Sequence, residues 1–95
     1  MENDLFEWDD VKAARNWRNH SVTFEMACEA FKDMFAVEWV DRDHDNAEER
    51  FAMLAMVEHR VMFVSYTMRQ HRIRIISARL AEPFERRRYH NENQA

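Results

Sequence analysis

The residues best suited to chemistry lie in the last third of the chain. In RIRIISAR, residues 72–79, Arg72 and Arg74 share one face of an extended strand and Ile73 and Ile75 the other, because strand side chains alternate. Arg79 has the opposite parity to Arg74, so the two converge only if Arg79 lies past the strand end or a bulge intervenes. A helical segment follows, with Glu85 and Tyr89 at i, i+4 among Arg86, Arg87 and Arg88. Cations, a carboxylate and a phenol make a workable set for metal-free phosphodiester cleavage. Guanidinium groups neutralise charge developing on phosphate, and a carboxylate or phenol moves protons. The same residues also describe a basic surface that only binds RNA, DNA or an acidic protein. Earlier in the chain Lys12, Asn16 and His20 recur every four residues. That spacing describes a polar cluster facing a ligand or a sheet edge, or an ordinary solvent face.

Charge patterning agrees with an anionic partner. Residues 1–58 hold 15 acids and 6 bases, and residues 59–95 hold 8 arginines and 3 acids, so a net of −9 is joined to a net of +5. Arginine favours bidentate, oriented contact with phosphate or carboxylate. A solvated arginine face paired with the acidic half is the competing account. Other chemistries find little support. Asp41, Asp43 and Asp45 imitate the start of a calcium loop, but Asn46 replaces the required glycine and Ala52 the final glutamate. The five histidines are scattered without zinc spacing. Phosphate-cradling and dinucleotide loops need glycine, and the chain contains none. No metal or cofactor is expected.

The elements that must position these groups are readable in outline. Ninety-five residues with 46% hydrophobic content suffice for one domain, 1–95, with a real core. A lone cysteine, no long apolar run and an acidic N-terminus suggest a cytoplasmic protein without membrane association. Leu5–Trp8 reads as a short strand. Asp9 or Asp10 then caps a helix running to Asn19 or His20, with Val11, Ala14 and Trp17 expected inward. Thr23 caps a second helix with the stripe Phe24, Ala27, Cys28 and Phe31, on which Cys28 is a small core residue. Strands are expected over 35–40, 61–67 and 72–79, and over 50–57, which is ambiguous with helix by propensity but favoured as strand because a clear strand follows after a short gap. Residues 41–49 are a charged connection, and a final helix over 83–92 begins at Pro83. That helix carries the i, i+4 pairs Glu82/Arg86 and Arg88/Glu92. The fold class is α+β, written β-α-α-β-β-β-α with an antiparallel meander sheet.

Several stretches together resemble the BrnT family of bacterial toxins from type II toxin–antitoxin pairs: FEWDDVKAARNWRNH (6–20), VTFEMACEAF (22–31), the D…H…E.RF segment (43–51), VSYTMR (64–69), RIRIISARLA (72–81) and ERRRYH (85–90). The resemblance implies a RelE-like fold and a metal-independent ribonuclease that arrests translation. It also implies a cognate, BrnA-like ribbon-helix-helix antitoxin, through which the complex reaches operator DNA. Positions matching the family motif are Lys12, Asn16, His20, Arg69, Arg74, Arg79, Glu85 and Tyr89. Arg74, Arg79, Glu85 and Tyr89 are the expected catalytic set. Lys12, Asn16, His20, Arg69, Arg72 and Arg86 are the expected RNA contacts. A non-catalytic antitoxin- or nucleic-acid-binding module is the alternative.

Where the family carries turn glycines, this chain has Ser21, Glu58-His59 and Gln70-His71. Each site is expected to force a non-glycine residue toward positive φ, at roughly 1–2 kcal/mol each.

Overall fold

A computed structural model describes residues 1–42 and 48–94. Residues 43–47, with Asp43 and Asp45 of the acidic run, lie outside the described residues. The elements are β1 (Phe6–Glu7), α1 (Asp10–His20), α2 (Phe24–Ala30), β2 (Val37–Asp41), β3 (Arg50–Val57), β4 (Arg60–Arg69), β5 (Arg72–Leu80) and α3 (Pro83–Glu92). The α+β class holds. The order is β-α-α-β-β-β-β-α, with all five strand spans named from sequence where the written order counted four, and the sheet is mixed. β2 to β5 form an antiparallel meander, while β1 runs parallel to β5 at the other edge, giving the order β1-β5-β4-β3-β2. Connectivity permits the parallel pairing: α1, α2 and three strands intervene, so no hairpin forces β1 to run antiparallel to β5.

Local chemistry explains the element ends. Asp9 Oδ1 accepts from Val11 N at 2.8 Å and Lys12 N at 3.3 Å, and these bonds hold its carboxyl below the usual range. Thr23 Oγ1 accepts from Met26 N at 3.1 Å, capping α2. β2 starts later than residue 35 because Asp33 Oδ1 accepts from Phe35 N, keeping the chain in a turn. At the family's glycine sites, Ser21, Glu58, His59 and Gln70 all have positive φ, at 55°, 48°, 69° and 56°. Glu58-His59 is a two-residue hairpin loop between paired Val57 and Arg60, the geometry that favours Asn-Gly or Asp-Gly.

The sheet separates two apolar clusters. On one face Met53, Ala55, Met62, Val64, Tyr66, Ile75 and Ala78 pack under Phe24, Ala27 and Ala30 of α2, with Cys28 and Phe31 partly buried against them. On the other, Leu54, Val61 and Phe63 meet Ala81 and Tyr89 at α3. Helix α1 departs from expectation: Val11 and Trp17 are 67% and 54% exposed, and Ala14 is exposed too. Its inward positions are Ala13 and Asn16. The reason is where the helix sits. β1 pairs with β5 only near Ile73 and Arg74, and α1 lies along the edge of β5 beyond that point. An edge offers backbone polar groups rather than apolar surface. Asn16 meets them: its Nδ2 donates to Ala78 O at 2.8 Å and to Val22 O at 2.9 Å, and Ala78 N donates to its Oδ1 at 3.1 Å. One side-chain amide thus replaces a missing strand.

Candidate nucleic-acid interface

The bulge anticipated as a possibility in β5 is present. Ser65 pairs with Ser77 but Tyr66 with Ile75, leaving Ile76 as the extra residue. Parity reverses there. Arg74 stands opposite Thr67, and Arg79 opposite Phe63, so both occupy the face away from α2. They remain four β4 positions apart, about 13 Å along the strand.

Across that face Asp41, Arg50, Thr67, Arg74 and Glu7 form one row over all five strands. Lys12, Glu48, Arg50, Thr67, Arg69, Arg74 and Ile76 line a cleft of about 360 Å³ there. Arg74 Nη1 donates to Glu7 Oε2 at 2.7 Å, which orients its guanidinium. Arg69 Nε donates to Glu48 Oε1 at 2.9 Å, and this bond keeps the Glu48 carboxyl below the usual range. Thr67 is buried, its hydroxyl donating to Glu49 O. A second cleft of about 240 Å³, lined by Arg15, Asn19, His20 and Ser77, shares Lys12 and Ile76 with the first. The two adjoin at Lys12 and Ile76 and together make up a basic channel. Lys12, Asn16 and His20 of the four-residue repeat all line it, Asn16 at its floor, 6% exposed and with its amide engaged at the sheet edge.

The remaining nominated residues lie elsewhere. Arg79 grips Glu85 with two bonds, Nη1 to Oε1 at 2.8 Å and Nη2 to Oε2 at 3.0 Å, and stacks over Phe63 at 4.4 Å. Glu85 Oε1 also accepts from Glu82 N at 2.8 Å. Burial pushes the Glu85 carboxyl upward, but the Arg79 bonds and the Glu82 amide outweigh it and hold it below its ordinary value. Tyr89 donates to Asp33 Oδ2 at 2.6 Å. Burial, then Asp33, pushes its phenol up to about 12. Glu85 and Tyr89 therefore share a face of α3, as spaced, but both are buried and spoken for by internal partners. Arg72 ties down the N-terminal segment, donating to Asn3 O at 2.7 Å with Glu2 at 3.4 Å. Arg86 donates to Ala81 O at 3.0 Å and lines a different cleft, with His59 and His90. Of the expected intrahelical pairs, Arg88–Glu92 forms at 2.6 Å.

Arg50 was not singled out from sequence. The two-residue loop at Glu58-His59 fixes Val57 opposite Arg60 and hence Arg50 opposite Thr67, so hairpin register alone would have found it. A larger groove, about 470 Å³, runs between the N-terminal segment and α2. It is lined by apolar groups such as Leu5, Phe6 and Trp8, and its Cys28 thiol is pushed up to about 11, chiefly by burial. It offers no activated nucleophile.

Among the described residues no group of three or more His, Cys, Asp or Glu is placed to hold a metal ion, and no helix is long and apolar enough to cross a membrane. A comparison with curated proteins finds no match. A family model does match, over residues 8–85, from the end of β1 into the first turn of α3. That span takes in the whole basic channel and the Arg79–Glu85 pair, and the chain accordingly belongs to the BrnT family, the ribonuclease toxins of type II toxin–antitoxin systems.

Proposed function

We propose that this BrnT-family toxin cleaves RNA without a metal, using the basic channel on the open sheet face, and thereby arrests translation in the cytoplasm until a ribbon-helix-helix antitoxin binds it. The observation that carries this reading is the convergence of Lys12, Arg50, Arg69 and Arg74 on one cleft. A ribose 2′-hydroxyl attacking its own phosphate forms an O2′–P bond and breaks the P–O5′ bond. Charge builds on the non-bridging oxygens, and fixed cations in a partly enclosed site stabilise it. Arg74 is the best placed, because a strand and the Glu7 bond hold it still. Glu48, ionised beside Arg69 at the cleft wall, takes the 2′-hydroxyl proton, and the departing 5′-oxygen takes a proton from solvent water to leave as a 5′-hydroxyl. Glu85 then serves as the group that positions Arg79.

Incubating RNA with purified protein in EDTA tests this. Cleavage should persist and leave 2′,3′-cyclic phosphate ends. Loss of activity in EDTA with recovery in magnesium would overturn the metal-free scheme. Expression alone should arrest bacterial growth, and co-expression with an antitoxin should relieve it. A non-catalytic binding module is the second reading, favoured by the internal carboxylate partners of Arg69, Arg74 and Arg79. RNA binding without any cleavage would select it.

A further inference from the structure

Next to the basic channel, on the same sheet face, two arginines sit over two aromatic rings. The Arg88 guanidinium carbon is 4.2 Å from the centroid of the Trp39 ring, and that of Arg79 is 4.4 Å from Phe63. The rings themselves are 6.0 Å apart. Trp39 pairs with Ala52, one row from Arg50, which puts it diagonally adjacent to the cleft at about 7–8 Å. Arg79 is committed to Glu85. Arg88 is different: its edge is fixed by Nε donating to Glu92 Oε2 at 2.6 Å, while its side chain stays 45% exposed. With its guanidinium over an indole and its Nε bonded to Glu92, this half-exposed side chain offers solvent a planar cation. Unstacked RNA bases settle on such planes, and cation–π support from the indole beneath fixes the orientation.

We propose that Arg88, backed by Trp39, is a stacking platform for a nucleobase of the RNA whose phosphates lie in the basic channel. The inference rests on reading that channel as the RNA site. It assigns base preference to the platform and backbone affinity to the channel. Because every base has a π-face, the preference is graded by stacking strength, purine over pyrimidine, rather than by hydrogen-bond pattern.

The test uses the whole protein and three non-cleavable 2′-O-methyl oligomers of equal length: oligo-A, oligo-U and an abasic strand. Wild-type affinity should fall in that order. Arg88→Lys keeps the charge but loses the plane. It should weaken oligo-A by at least about five-fold and leave abasic binding unchanged. Trp39→Leu should act in the same direction, with its melting temperature measured alongside. If Arg88→Lys leaves the difference between oligo-A and the abasic strand intact, or weakens all three equally, the platform is refuted. Arg74→Ala reports on the channel separately and should weaken all three alike. No effect of Arg74→Ala on any oligomer would refute the channel as the RNA site, whatever Arg88→Lys does.

Discussion

Replacing Asn16 separates a structural role from an RNA-contact role. In Asn16→Ala three backbone groups lose their partner: Ala78 N–H, Ala78 O and Val22 O. Each neutral hydrogen bond contributes about 1 kcal/mol net, so the expected loss is about 3 kcal/mol. Water reaching the β5 edge lowers that figure, and the void left by the amide raises it. A domain of this size has a total stability of roughly 5–14 kcal/mol, so the variant should remain folded at low temperature. The melting point should drop by about 12–24 °C, at ~4–8 °C per kcal/mol for a small domain. Urea denaturation measures the loss directly, provided the slope is unchanged. RNA affinity, measured well below the melting transition, should stay at the wild-type value. A stability loss under about 1 kcal/mol, or a folded variant that no longer binds RNA, would refute the assignment of Asn16 to the strand edge.

Arg74→Ala should cut RNA cleavage by ~10²–10³, by analogy with removing one oxyanion-hole donor, and leave the far-UV circular dichroism spectrum unaltered; a folded variant cleaving at the normal rate would remove Arg74 from the mechanism. Glu58-His59→Asp-Gly should raise stability by about 1 kcal/mol, because both loop residues sit at positive φ; a lower denaturation midpoint would contradict the hairpin. Asp33 accepts from Met56 N at 2.7 Å and from Phe35 N and Tyr89, and although burial pushes its carboxyl up, these bonds hold it below its ordinary value. Its contribution is therefore present above about pH 4 and is lost as pH falls through the lowered native value. The destabilisation caused by Asp33→Ala should accordingly shrink between pH 7 and pH 3, which urea midpoints at each pH would show.

The sequence by itself determined most of the secondary structure. Capping chemistry at Asp9 and Thr23, the apolar stripe of α2, the β-rich run of β4 and the Arg/Ile alternation of β5 are local signals, and each is visible within a few residues. The sites of positive φ were expected from the family resemblance and not from a local signal, and Ser21, Glu58, His59 and Gln70 adopt it. The resemblance of several stretches to the family was also visible in the sequence, and the match over residues 8–85 agrees. Relations between distant residues needed the tertiary structure. Val11 and Trp17 fit an inward stripe by period, but α1 meets a strand edge, where Asn16 satisfies backbone groups that no apolar side chain can. The parity of Arg79 depended on one extra residue, Ile76, which only pairing with β4 exposes. The spacing of Glu85 and Tyr89 put them on one face of a helix, but that their partners are Arg79 and Asp33 is visible only in the packed chain. A helix period states which side chains share a face; only the packed chain decides what that face meets.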